Sequence, residues 1–178
     1  MSKSGPIYIS TGLLDPTAAI DFRISSQINE DIVPLLSVYV NDAWQKLAIF
    51  DDIAERINLF TKLMNDRFLY KDFEVSRERR FLFRNYSSQD VPVTGLSSGE
   101  QHQLVLLYEL LFRVQEGSLI LIDEPELSLH VVWQQSFLRD IHEIARIRNF
   151  DVLIATHSPQ IINDRWDLTV ELRGPEVG

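Results

Sequence analysis

Two short, wholly apolar runs constrain this chain more than any other feature: Leu119-Ile120-Leu121-Ile122 and Val152-Leu153-Ile154-Ala155. A continuous apolar run of this length, bounded by polar residues, suits a strand buried on both faces, as strands of parallel sheets are. The segment between them, 129–148, reads as a helix. Strand, helix, strand in that order implies a parallel pair joined by a right-handed crossover. Around this unit we expect a helix over 97–114, with Leu104, Tyr108, Leu111 and Phe112 on its apolar side, and a connection ending at Gly117. A short helix after Pro159 and a strand near 168–172 complete the α/β segment 96–178.

The preceding residues follow different periods. Over 15–68 the chain reads as mainly helical. Ile32, Leu35, Leu36, Tyr39, Val40 and Ala43 recur at helical spacing, as do Ile53, Ile57, Phe60, Leu63 and Met64. Pro34 falls near the start of the first run, where a missing N–H does little harm. We read these stripes as core or helix-pair packing. From Tyr70 to Arg84 the period becomes two: Phe73 and Val75, then Phe81 and Phe83, alternate with polar residues, as in a hairpin. A loop over 87–95 holds a short extended piece at Val91-Pro92-Val93. The organisation expected is a helical region or arm (1–69), a hairpin and loop (70–95) and an α/β core segment (96–178).

Composition narrows the classes. Apolar residues make up 45% of the 178 and charged residues 24%, ordinary values for a globular protein. No run approaches the roughly 20 apolar residues of a membrane span, and the N-terminus lacks the apolar core of a secretory signal. There is no cysteine, which excludes disulfides and thiolate metal sites and suits a cytoplasmic protein. A net charge of −9 argues against a generally basic, nucleic-acid-binding surface. Arg77, Arg79, Arg80 and Arg84 form a local exception, diluted by Asp72, Glu74 and Glu78; a solvated hairpin face is the preferred reading over a binding patch.

The chemistry gathers at the strand ends. Functional groups of open parallel sheets collect beyond the strands' carboxyl ends, and there the first apolar run meets Asp123-Glu124-Pro125. Asp123 can hold Mg²⁺ through its water shell, and Glu124 can orient and polarise a water for attack on a γ-phosphate. The plainer reading is two solvated acids before a turn. The second run ends in Thr156-His157-Ser158-Pro159. If the strands are neighbours, His157 enters the same crevice as Glu124 and can donate a hydrogen bond to a phosphate oxygen. His102, His130 and His142 have no such placement. A third element, Leu96-Ser97-Ser98-Gly99-Glu100-Gln101, lies at a loop-to-helix junction. Its free N–H groups and serine hydroxyls suit a phosphate; Ser97 and Glu100 also satisfy the capping-box pattern, and the two roles are compatible.

In order and spacing, these three elements resemble the ABC-type ATPase superfamily, over about 65 residues. The segment 96–101 looks like its signature motif, 119–124 its Walker B strand, 125–130 its D-loop and His157 its switch histidine. The signature departs from the transporter form: Ser98 replaces the first glycine and Glu100 follows the second, closer to SMC-type ATPases. Glu124-Pro125-Glu126-Leu127-Ser128-Leu129-His130 is similar to soluble ATP-binding proteins of the RecF and OLD-like kind. The resemblance implies the C-terminal half of a P-loop NTPase core. It also implies ATP and Mg²⁺ as ligands, with Glu124 and His157 catalytic, Asp123 at the metal, and Ser97, Ser98, Gly99, Glu100 and Gln101 at nucleotide. It further implies an ATP-sandwich homodimer, or a half-site completed by a segment that carries the phosphate loop, and an ATP-driven switch serving DNA repair or phage defence through DNA or a nuclease effector.

One part is missing. None of the seven glycines opens a G-x-x-x-x-G-K-[ST] loop; Lys3-Ser4 resembles only its last pair, and no convincing glutamine loop is present. The expectation is a C-terminal portion of a longer ATPase, inactive alone. A non-catalytic dimerisation or regulatory module, using 15–68 to hold a partner, is the alternative. A Mg²⁺ nuclease built on Asp123-Glu124 alone makes a thin two-metal site.

Overall fold

A computed structural model describes residues 33–68, 70–76 and 80–172. The chain divides into two compact units, Met1–Gly95 and Leu96–Gly178. Expectations for 15–32, for the hairpin connection at 77–79 and for Lys3-Ser4 lie outside the described residues.

In the first unit, the two helical stripes merge into one helix, α1 (Val33–Arg67). Its C-terminal half carries Phe60, Leu63 and Met64, all buried. Strands β1 (Lys71–Ser76) and β2 (Arg80–Asn85) pair antiparallel, with Phe73 opposite Phe83, and a two-residue β3 (Asp90–Val91) extends the sheet beside β2. Phe73 and Phe83 are buried with their rings 5.0 Å apart, but the expected alternation is not strict in β2, where Leu82 is buried as well and Phe81 is 38% exposed. Phe60 meets Phe73 edge-on at 5.3 Å. Asn65 joins helix to strand: its Oδ1 accepts the Phe73 N–H at 2.7 Å and its Nδ2 donates to the Phe73 carbonyl at 3.0 Å. Arg84, one of the arginines of the diluted patch, lies within ion-pair distance of Glu74 and Asp90.

The second unit begins with α2 (Ser98–Tyr108), which continues as a π-helical turn over Glu109–Arg113 closed by Val114 N–H to the Glu109 carbonyl at 3.0 Å. The expected apolar side of this helix is met in part. Leu104 and Leu111 are buried, but they are joined by Leu107 and Leu110, while Tyr108 and Phe112 sit half-buried against each other.

Strands β4 (Leu119–Asp123) and β5 (Asp151–Ala155) pair parallel in register, Asp123 opposite Ala155, across the helix α3 (Val131–Arg148). The expectation of burial on both faces is overturned: Leu119, Leu121 and Leu153 are exposed, at 61%, 69% and 62%. Among the described residues only two strands, β4 and β5, pair here. An open groove lined by Leu138, Ile141, Ala145, Val152 and Ile154 marks where α3 flanks one face, and among the described residues the leucine face is left open. A continuous apolar run therefore does not by itself guarantee two covered faces.

Asn149 ends α3 in the left-handed conformation at φ 51°, a C-cap position that Asn tolerates. A short helix α4 (Pro159–Ile162) follows β5 and packs on α3. The expected strand near 168–172 is not formed. Trp166–Leu168 makes a 3₁₀ turn that Thr169 closes by donating to the Trp166 carbonyl, and Val170 and Leu172 are exposed. No strand pairs with this segment among the described residues, and an unpaired strand has nowhere to place its backbone donors.

Candidate functional site

The parallel pairing of β4 with β5 brings the two strand ends together. Glu124 continues the ladder by one bond, donating its N–H to the Ala155 carbonyl at 2.8 Å, and then turns left-handed at φ 44° and ψ 53°. Pro125 starts a 3₁₀ turn (Pro125–Leu127) whose first bond runs from Leu127 N–H to the Glu124 carbonyl at 3.1 Å. His157 lies two residues beyond the end of β5. Its Nδ1 is 3.5 Å from Glu124 Oε1 and 3.3 Å from Glu126 Oε1. Glu124 and His157, expected to share a crevice, are therefore neighbours, and both are well exposed to an incoming ligand. Asp123, the last residue of β4, is exposed beside them.

The segment 96–101 forms the capping box that its sequence suggests. Ser97 is the N-cap of α2: its hydroxyl oxygen accepts the Glu100 N–H at 3.3 Å, and the Glu100 carboxylate accepts the Ser97 N–H at 2.8 Å, a complete capping box. Gln101 Nε2 donates to the Leu96 carbonyl at 3.0 Å, pinning the loop before the cap. A methyl group built on Gly99 would meet the Ser128 carbonyl and Trp133 at 3.8 Å, ordinary contact distance. The helix start thus borders the Ser128 end of the turn that follows Glu124.

A polar network missed by the sequence reading ties the site together. Glu126 accepts the Thr156 hydroxyl at 2.9 Å on either oxygen and the His157 N–H at 3.1 Å. Gln134, buried on α3, donates from Nε2 to the carbonyls of Leu129 (3.2 Å) and Glu126 (3.3 Å), and its Oε1 accepts the Ser158 hydroxyl at 3.1 Å. Burial works to raise the Glu126 pKa, but its own backbone N–H, the Thr156 hydroxyl, the His157 N–H and the imidazole outweigh it and hold the carboxyl below the usual range. His130 also gains a role: its Nδ1 accepts the Val132 N–H at 3.4 Å, capping α3. The available signal was a second acid, Glu126, on the turn after one strand and a hydroxyl, Thr156, at the end of the other.

A family described as "AAA domain, putative AbiEii toxin, Type IV TA system" matches residues 10–163, most of the chain and all of the strand-end site. The chain belongs to that family. AAA-type domains are, as a family, P-loop nucleotide-binding ATPases. The chain is also similar to protein ea59 of Escherichia phage lambda, 39% identical over 69 residues, 39% of this chain. It spans only 13% of that relative's length.

An AAA domain implies ATP and Mg²⁺, and the donor set can be tested against both. Among the described residues no group of three His, Asp or Glu side chains forms a metal cage. Mg²⁺ needs no such cage, because it keeps several waters and ordinarily takes one or two carboxylates together with substrate phosphates. An exposed Asp123 carboxylate at the strand end fits that demand. No described helix is long and apolar enough to cross a membrane.

Proposed function

We propose that this AAA domain supplies the water-activating side of a composite ATP site of the ABC type, closest to the SMC, RecF and OLD-like ATPases. The observation that carries the reading is the 3.5 Å approach of Glu124 and His157 at the ends of two parallel strands. Glu124, exposed and acidic, accepts a hydrogen bond from the attacking water and orients it toward the γ-phosphate. His157 presents its ring to a phosphate oxygen on which charge develops. Asp123 holds the water shell of Mg²⁺, which when bound neutralises phosphate charge. Ser97, Ser98 and Gly99 offer the start of α2 to a phosphate held by a second molecule, with Glu100 and Gln101 keeping that start in shape.

No G-x-x-x-x-G-K-[ST] loop occurs in this sequence. In the proposed site the phosphate grip therefore comes from another segment or chain, and this chain alone does not turn over ATP. The assembled form is a dimer closed around nucleotide, cytoplasmic, coupling closure to work on DNA or to a nuclease effector in repair or phage defence. The decisive variant is Glu124→Gln in a protein that has the phosphate loop. It is expected to bind ATP and close normally while turnover falls by about 100-fold or more, the scale of a lost general base. Undiminished turnover removes Glu124 from the reaction.

A further inference from the structure

Beyond Asp123, Glu124 and His157, one acidic side chain at the strand ends is buried: Glu126, 8% exposed against 45% for Glu124 and 72% for His157. A buried carboxylate is costly unless its lone pairs meet donors. Here they do, and every donor from beyond the turn belongs to one short segment. The Thr156 hydroxyl reaches both oxygens at 2.9 Å, the His157 N–H reaches Oε1 at 3.1 Å, and His157 Nδ1 stands 3.3 Å from the same oxygen. Thr156 Oγ1 in turn accepts the Ser158 N–H at 3.1 Å. The carboxylate is itself held. The Glu126 carbonyl accepts from Gln134 Nε2, and Gln134 also takes the Ser158 hydroxyl, so α3 braces both sides of the contact.

Which imidazole nitrogen carries the proton is set by the partner of the other nitrogen. Both neighbours of His157 Nδ1 are carboxylate oxygens, Glu126 at 3.3 Å and Glu124 at 3.5 Å, and a carboxylate only accepts. We infer that Glu126 is a positioning residue that clasps the 156–158 segment to the β4 turn and fixes His157 as the Nδ1–H form, leaving Nε2 as the nitrogen that meets a ligand. The role of His157 in catalysis rests on the ATPase reading above; the clasp itself does not. Of the two acids facing Nδ1, Glu126 is the one whose position is fixed by burial and by hydrogen bonds from the Thr156 hydroxyl and the His157 N–H. Glu124 is thereby free to serve the water.

The test reads the ring directly, in the full 178-residue chain without nucleotide. Long-range ¹H–¹⁵N NMR distinguishes Nδ1–H from Nε2–H imidazole, and a His157→Gln variant assigns the His157 signals among the four histidines. The expected wild-type form is Nδ1–H. Glu126→Ala is expected to move His157 to the Nε2–H form that free imidazole side chains favour in water, while Glu124→Ala leaves it unchanged. If Glu126→Ala does not give a wild-type amide spectrum away from the site, Glu126→Asp takes its place with the same expectation, because one methylene less withdraws the carboxylate from Nδ1. An Nε2–H wild type, or an Nδ1–H form that survives whichever Glu126 variant folds, overturns the proposal. In a protein with the phosphate loop, the same variant is expected to lower kcat roughly tenfold, the scale of one hydrogen bond to a charged group, with KM for ATP unchanged. A tautomer switch with unaltered kcat keeps the clasp and removes His157 from the reaction instead, which is a failure of the ATPase reading and not of this one.

Discussion

At the scale of single residues, Glu124 combines a chemical and a conformational demand. Its backbone sits at φ 44° and ψ 53°, a region that costs a residue with a β-carbon about 1 kcal/mol. The neighbours hold it there: its N–H is committed to Ala155 and its carbonyl to Leu127. Strain of this kind persists where surrounding structure over-determines it, and functional sites are where it collects. Two substitutions separate the contributions. Glu124→Gln removes the charge and keeps the β-carbon; Glu124→Gly removes both. In urea unfolding the glycine variant is expected to match or exceed the glutamine variant, by up to about 1 kcal/mol, since glycine adopts this conformation freely. Both should lower turnover in an assembled enzyme by about 100-fold or more. A glycine variant clearly less stable than the glutamine one would show that the left-handed turn is not strained.

At the scale of elements, the start of α2 has two possible uses, and a substitution can tell them apart. The capping box satisfies the Glu100 and Ser97 N–H groups reciprocally. Ser97→Ala is expected to cost about 1 kcal/mol and Ser97→Gly only a few tenths, measured by denaturant unfolding of the chain. If Ser97 also contacts phosphate in the assembled protein, Ser97→Gly should weaken ATP-driven closure despite its near-normal stability; equal closure would leave the cap as its whole role. How far such elements could be read from sequence depends on the physics behind each. The parallel pairing of β4 and β5 was legible because four-residue apolar runs flanking a helix admit few topologies, and with the pairing came the meeting of Glu124 and His157. The hairpin was legible because Phe73 and Val75 in β1, and Phe81 and Phe83 in β2, recur at a spacing of two, although Leu82 between the latter pair is buried as well and breaks the strict alternation. The π turn at Glu109–Arg113 was not, since nothing in those residues announces an extra backbone bond. Nor was the open leucine face, because burial on a second face depends on what packs there and not on the strand. Glu126 carries no sign of its role in the residues next to it. Its importance arises from Thr156, 30 positions away, and no local pattern encodes that meeting.

At the scale of the whole molecule, the question is whether this chain can hold a triphosphate by itself. A tight grip needs several backbone N–H groups converging on the phosphates and a nearby cation, the arrangement that a G-x-x-x-x-G-K-[ST] loop provides. Here the glycines are scattered, and the start of α2 already has an anion on it: the Glu100 carboxylate takes both the N–H and the hydroxyl of Ser97. The net charge of −9 adds long-range repulsion toward ATP. Asp123 and Glu124 cannot reverse this balance, because both are acidic. Calorimetric titration of the chain with ATP and Mg²⁺ is therefore expected to give a Kd no tighter than about 1 mM, near −4 kcal/mol. Supplying a segment that carries the phosphate loop, fused or in trans, should bring the affinity into the micromolar range, a gain of about 4 kcal/mol for a thousandfold change. Micromolar binding by the chain alone would place the phosphate grip among its own residues, and the idea of a half-site would have to be given up.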